Sequence, residues 1–188
     1  MRIIAGEKRG ALLRSLEGEA TRPTMERVKE GIFSALHFII PGAQVLDLYA
    51  GSGQLGLGAL SRGASGCTFI DNSKNAIAVI KANAASTGLL AKCRIACMDS
   101  SVFLARNRDL FDIILLDPPY GMQAVPPLLE AVDKAAAPGA QVFCETEKGV
   151  VLPERAGGLV LQKTYRYGTV MISRYRKQEI QDDQLKED

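Results

Sequence analysis

The chain has 188 residues, 47% hydrophobic and 23% charged, the profile of an ordinary globular protein that can bury a core without staples. Its 23 Lys and Arg against 21 Asp and Glu leave a net charge of +2. That excludes a polybasic, histone-like protein but not one whose charge is segregated along the chain. The length predicts one domain with small additions and excludes a second full-sized recognition domain.

The opening residues, Met1 to Arg9, carry basic groups with no long apolar run behind them, so no secretory signal is expected. No stretch approaches the roughly 18 apolar residues that a membrane span needs. Cys67, Cys93, Cys97 and Cys144 form no C-x-x-C pair, and the single histidine, His37, is far away in sequence. No metal site is expected. The cysteines read as reduced core thiols of a cytoplasmic protein.

In chain order, Arg2-Ile3-Ile4-Ala5 and Ala11-Leu12-Leu13 frame a Gly6 to Gly10 turn and predict a small hairpin. Pro23-Thr24 opens a helix with Thr24 as its expected N-cap, Val28, Ile32, Leu36 and Ile39 on one face, and Pro41-Gly42 as its stop. From residue 44 strands alternate with helices. Val45 to Tyr49 is a strand, Gly51 to Arg62 a glycine-rich turn running into a helix, and Cys67 to Ile70 a strand ending at Asp71. Lys74 to Ser86 is a helix, Cys93 to Cys97 a strand, Ser100 to Arg106 a short helix, and Phe111 to Leu116 a strand apolar enough for burial on both faces. A helix starts at Pro126-Pro127 and ends at Pro138-Gly139, followed by a strand at Val142 to Cys144. Two further strands, Leu159 to Tyr165 and Thr169 to Tyr175, form a hairpin.

This alternation predicts an α/β fold: a Rossmann-like, doubly wound, mostly parallel seven-stranded sheet with an antiparallel closing hairpin. Residues 1–42 form an N-terminal hairpin and helix extension and residues 43–177 the main domain. Residues 178–188, with five acids and one lysine, read as a disordered tail.

The loop after the first strand of the main domain reads Asp47-Leu48-Tyr49-Ala50-Gly51-Ser52-Gly53-Gln54-Leu55-Gly56. Gly51, Gly53 and Gly56 satisfy G-x-G-x-x-G, and Asp71 follows at the end of the next strand. Strand, loop, helix and ribose-binding acid in that order define an adenosine-type cofactor site. The spacing fits NAD as well as S-adenosylmethionine, but Asp47 favours the latter. A carboxylate at that strand end can face a cationic amino group, whereas it would repel a pyrophosphate. Asp99-Ser100 follows the third strand, where an adenine contact is expected, although Asp99 reads equally well as a helix N-cap.

The fourth strand ends in Asp117-Pro118-Pro119-Tyr120. Two prolines fix the backbone and end the ladder. A carboxylate, a carbonyl and an aromatic plate on a stiff loop suit the grip of a planar base by its exocyclic amine. Asp117 and the Pro118 carbonyl accept the two N–H bonds, and Tyr120 stacks on the base.

D-P-P-Y together with D-L-Y-A-G-S-G resembles the Rossmann-like amino-methyltransferases. The resemblance is closest to bacterial small-subunit ribosomal RNA guanine-N2 methyltransferases of the RsmD type. Arg2-Ile3-Ile4-Ala5-Gly6, Arg9-Gly10, Arg22-Pro23-Thr24, Arg27-Val28, Ala59-Leu60-Ser61-Arg62-Gly63-Ala64 and Tyr167-Gly168-Thr169 also carry it. It implies S-adenosylmethionine as methyl donor and N2 of a guanine in 16S rRNA as acceptor, presented by the small subunit or a late assembly particle. It also implies Arg22, Thr24 and Asn72 at the cofactor site and a monomeric enzyme. The chain departs from the pattern at Tyr49, where the family usually has Phe, and at Gly58 and Asp71, where it usually has Glu.

Positive charge gathers near both ends of the domain. Arg2, Lys8, Arg9 and Arg14 in the first segment, and Arg166 in the closing hairpin, are the expected RNA contacts. The N-terminal hairpin is expected to supply the main ones. Three other readings compete: a DNA adenine-N6 methyltransferase, a non-catalytic RNA-binding or assembly factor, and a small NAD-dependent oxidoreductase. Asp117 and the glycine loop disfavour the second, and Asp47 with the tetrapeptide disfavours the third.

Overall fold

Alternation along each strand decides which helices it can carry. In the strand Gln44–Leu48 (β1), Val45 packs to one side and Leu46 and Leu48 to the other. The strands Gly66–Asp71 (β2) and Phe111–Leu116 (β4) alternate in the same way, with Phe69, Ile113 and Leu115 opposed to Ile70, Ile114 and Leu116. A strand with apolar residues on both faces is stable only between two layers. The computed structural model supplies both layers; it describes residues 1–16, 23–119, 121 and 125–179, and for residues 23–26 the backbone.

One layer holds α1 (Pro23–Ala35), α2 (Gln54–Ser61) and α3 (Lys74–Ser86), burying Val28, Ile32, Phe33, Leu57, Leu60, Ile77 and Ile80. The other holds α4 (Ser100–Arg106) and α5 (Val125–Asp133), burying Phe103, Leu104, Leu128, Leu129 and Val132. Between them, β3 (Cys93–Cys97), β2, β1, β4 and β5 (Ala136–Glu147) pair in parallel in that order. β8 (Val170–Lys177), β7 (Leu159–Tyr167) and β6 (Arg155–Ala156) continue the sheet antiparallel. The winding direction reverses between β1 and β4. Their carboxyl ends are therefore the switch point at which open α/β sheets bind ligands.

The α/β class, the doubly wound sheet and the closing hairpin agree with expectation. The sheet has eight strands rather than seven, because Arg155–Ala156 adds a two-residue edge. α1 stops at Ala35, short of Ile39, and Thr24 is its second residue rather than its cap. α5 ends at Asp133, and β5 begins before Pro138-Gly139 instead of after it. Ala136 pairs with Phe111 but Gln141 with Ile113, so the chain between them bulges. A bulge is where a strand tolerates a proline and the left-handed Gly139.

The N-terminal hairpin exists as one bridge, Arg2 to Leu12, with Ile3 N–H bonded to Ala11 and Leu13 N–H to Met1. It lies along α2. Gln54 Nε2 donates to the Arg2 carbonyl at one end, and Glu7 N–H donates to Ser61 O at the other. Of the expected tail, Gln178 is still tied, its N–H donating to Gly158 O, and residues 180–188 lie outside the described residues. Cys67 and Cys144 are core thiols as expected, Cys93 is half-buried, and Cys97 is exposed at the end of β3. Burial pushes the Cys93 thiol up to about 11 and Cys144 up to about 12.

Candidate active site

β1 leaves the sheet through a loop that only glycine-rich sequence can follow. Tyr49, Gly51 and Gly53 have φ of 60°, 54° and 76°, the left-handed region that costs a side chain about 1–2 kcal/mol and glycine almost nothing. Tyr49 alone among the described non-glycine residues sits there, and its side chain is hydrogen-bonded to the buried Ser100. Gly56 serves packing instead. A Cβ there would lie 2.3 Å from Phe69 Cε1 and 2.6 Å from Cys67 Sγ, so α2 can approach β2 only over a bare backbone.

Side chains from three elements hold the loop. Asp71, at the end of β2, accepts from Gly51 N–H at 2.9 Å with one oxygen and from Ser73 N–H at 2.8 Å with the other. Asp47 accepts from Gly56 N–H at 2.8 Å. Asn83 of α3 donates to Ser52 O at 2.9 Å. Asn83 also exchanges hydrogen bonds with the Arg14 backbone, which ties the N-terminal hairpin to the loop. Sequence reasoning missed Asn83. The available signal was a polar residue on the apolar stripe of Ile77, Ile80 and Ala84.

Asp47 is only 2% exposed. It lies beneath the loop as a backbone acceptor, which corrects the picture of a carboxylate open to a ligand. Burial pushes its carboxyl up to about 8; the Gly56 N–H pulls it back down, while Asp117 and Asp71 add to the upward push. Lys29 of α1 opposes that push and donates to Gln54 Oε1 at the start of α2.

Across the switch point, β4 delivers the tetrapeptide. Asp117 is half-buried, and its N–H makes a long 3.4 Å bond to Leu48 O of β1. Pro118 is buried and Pro119 exposed. A small cleft beside them is lined by Pro118, Pro119, Gly121, Val125, Glu145, Thr146, Glu147 and Val150. Tyr120 lies outside the described residues.

The remaining expected cofactor residues divide. Asp99 is the N-cap of α4, accepting from Ser101 and Val102 N–H. Asn72 is exposed beside Asp71, and its carbonyl accepts from Cys97 Sγ at 3.6 Å. Arg22 lies outside the described residues, as does the side chain of Thr24.

The expected RNA contacts divide too. Lys8 pairs with Glu7 at 2.7 Å, and its N–H donates to Ser61 Oγ at the far end of α2. Lys8 and Arg9 thus sit about 12 Å, one eight-residue helix, from the glycine loop. Arg2 and Arg14, at the open end of the hairpin, stay beside the loop through Gln54 and Asn83. In the closing hairpin Arg174 is bonded to Gln141, Arg176 to Glu179 and Lys177 to Asp133. Arg166 is exposed at the β7–β8 tip, beside the carboxyl end of β5, because Tyr167 faces Val170 and Val170 faces Glu147.

These residues fit S-adenosylmethionine. The loop turns through left-handed Gly51 and Gly53, and Asp71 stands at its edge where a ribose would meet it. Asp117 and Asp71 both push the buried Asp47 carboxyl up, and these two are the partly exposed acids at the strand ends. That donor set suits a sulfonium and an ammonium group and disfavours a pyrophosphate. The fold and the site together define a Rossmann-like, S-adenosylmethionine-dependent methyltransferase.

Within that class, the family model described as "Conserved hypothetical protein 95" matches residues 1–176, and the chain belongs to that family. A Bacillus subtilis protein named "Putative rRNA methyltransferase YlbH" is 36% identical over 94% of this chain and 99% of its own length. The Haemophilus influenzae "Ribosomal RNA small subunit methyltransferase D" is 35% identical over 88% of this chain and 93% of its own. A solved structure titled "Putative methyltransferase yhhF from Escherichia coli" superposes with a TM-score of 0.84 at 30% identity, covering 95% of this chain and 98% of that one.

Proposed function

We propose that this protein transfers the methyl group of S-adenosylmethionine to the exocyclic N2 of a guanine in small-subunit ribosomal RNA. The observation that carries the reading is the juxtaposition at the switch point: Asp117-Pro118-Pro119 after β4 adjoins the glycine loop after β1, with Asp117 N–H on Leu48 O. The two relatives, named as rRNA methyltransferases and one of them of the small subunit, support rRNA as the substrate.

When bound, the cofactor supplies an electrophilic methyl group on a sulfonium. The protein's task is orientation. The amine is a poor nucleophile because its lone pair is delocalised into the base. Asp117 and the Pro118 carbonyl each accept one of its N–H bonds, which favours a pyramidal nitrogen with its lone pair toward the methyl. Asp117 accepts the proton that the amine loses. Tyr120 stacks on the base, an interaction worth roughly 1–3 kcal/mol at comparable sites. Asp71 exchanges the Gly51 N–H for ribose hydroxyls, and Asn72, Asp99, Ser100, Arg22 and Thr24 complete the cofactor site.

The amino edge of a paired guanine is covered, so the target base is unpaired or flipped out. Arg2, Arg14 and Arg166 stand nearest the site and supply phosphate contacts. Residues 1–42 close the cofactor site, and the enzyme acts as a cytoplasmic monomer on the subunit or a late assembly particle.

Methyl transfer from labelled cofactor to small subunits, large subunits and duplex DNA tests the reading, followed by nucleoside analysis. Label in small subunits, recovered as N2-methylguanosine, is the expected result. Label only in DNA, as N6-methyladenine, or no label in any substrate would overturn it.

A further inference from the structure

Among the described residues of the loop between Asp117 and the start of α5 at Val125, a single backbone N–H bond fastens the chain. Pro118 and Pro119 have no N–H at all. Gly121 has one, and it donates to Glu147 Oε1 at 3.0 Å. The residue is left-handed, with φ of 79°, and exposed.

Glu147, by contrast, is fastened on several sides. It ends β5, is paired with Val170 of β8, and its carbonyl accepts from Val150 N–H at 3.4 Å. The next residue, Lys148, donates its N–H to Thr169 O at 2.9 Å at the tip of the β7–β8 hairpin. The carboxylate therefore reaches from the rigid end of the sheet to a loop that carries the amine-binding groups. A charged acceptor makes a stronger bond to an N–H than a neutral one.

We propose that Glu147 is a positioning residue: by accepting from Gly121 N–H it sets where Asp117 and the Pro118 carbonyl meet the substrate amine. It touches neither cofactor nor substrate. The proposal rests on the amine-methylation reading for its kinetic consequence but not for the bond itself. A misplacement of about 1 Å at a reacting group costs on the order of 100-fold in rate, so loss of the latch should appear in turnover. Glutamine keeps an acceptor at the same reach and should rescue.

The full chain is tested as wild type, Glu147→Ala and Glu147→Gln. Hydrogen exchange of the Gly121 amide reads the latch without any substrate. Exchange should quicken at least tenfold in Glu147→Ala and stay near wild type in Glu147→Gln. Single-turnover methyl transfer to small subunits should fall roughly 10- to 100-fold in Glu147→Ala, with cofactor affinity unchanged, and recover to within about threefold in Glu147→Gln. Unchanged exchange at Gly121 in Glu147→Ala overturns the proposal, as does wild-type transfer in that variant. So does a Glu147→Gln variant as impaired as Glu147→Ala. Absence of transfer by the wild type, with the exchange result as expected, rejects the substrate reading and leaves the latch standing.

Discussion

Asp47 and Gly56 are nine residues apart, and a 2.8 Å hydrogen bond from the Gly56 N–H to the Asp47 carboxylate closes the chain between them into the cofactor loop. The acid lies at the end of β1 and the amide in the first turn of α2. The bond satisfies one of the orphan donors of a helix start. It does so with a carboxyl that burial has pushed up to about 8.

That combination has a pH consequence. The folded carboxyl holds its proton up to about 8, while the unfolded one releases it near the ordinary aspartate value of 3.8. Between those values the folded state binds more protons, so stability falls as pH rises, by at most about 1.4 kcal/mol per pH unit for one group. Asp47→Asn keeps an acceptor for Gly56 and cannot ionise. Denaturant titrations from pH 4.5 to 8 should show a flatter stability profile for the variant, and its largest advantage at the alkaline end.

Gly56 illustrates packing rather than chemistry. In Gly56→Ala the new methyl must displace Phe69 or Cys67, both in the core. Overpacking of this kind costs about 1–3 kcal/mol. In a domain of this size each kcal/mol lowers the melting temperature by roughly 2–4 °C. Thermal denaturation should register that loss, and calorimetry should show weaker cofactor binding.

Gly58 looks like a helix defect in sequence but has a partner in the fold. A Cβ there would lie 2.7 Å from Phe33 Cζ, and the Phe33 ring is covered on its face by the Arg62 guanidinium at 3.8 Å. Helix propensity alone favours Gly58→Ala by about 1 kcal/mol, but the overlap outweighs it. Gly58→Ala should destabilise the wild type yet stabilise a Phe33→Leu background. A double-mutant cycle by chemical denaturation measures both.

Asp117→Ala should lower single-turnover methyl transfer by on the order of 100- to 1,000-fold. Cofactor affinity should survive, because the groups that hold the loop are Asp71, Asp47 and Asn83. Isothermal titration and transfer assays on the same preparation separate the two effects.

For the RNA, position matters more than the count of charges. Arg166→Glu, at the catalytic end, should weaken small-subunit binding and reduce its salt dependence by about one counterion. Lys8→Glu with Arg9→Glu, at the far end of α2, should change affinity by less than about twofold, Lys8 already being paired with Glu7. Binding titrations across a salt series decide this.

Much of the molecule is readable from local pattern. Lys74–Ser86, Cys93–Cys97, Ser100–Arg106 and Phe111–Leu116 fall where periodicity and capping residues put them. The glycine loop, its acid at Asp71 and the tetrapeptide announce themselves by spacing, because each obeys a short-range steric rule. The tertiary structure decided the rest, through contacts between residues far apart in the chain. Asp47 became a buried acceptor because α2 folds back over β1. Asn83 became a brace because α3 crosses the loop. Gly58 became necessary because Phe33 packs on it. Lys8 and Arg9 came to lie at the far end of α2 because the hairpin runs along that helix with its turn away from the glycine loop. Glu147 came to accept from the Gly121 N–H because β5 ends beside the loop after β4.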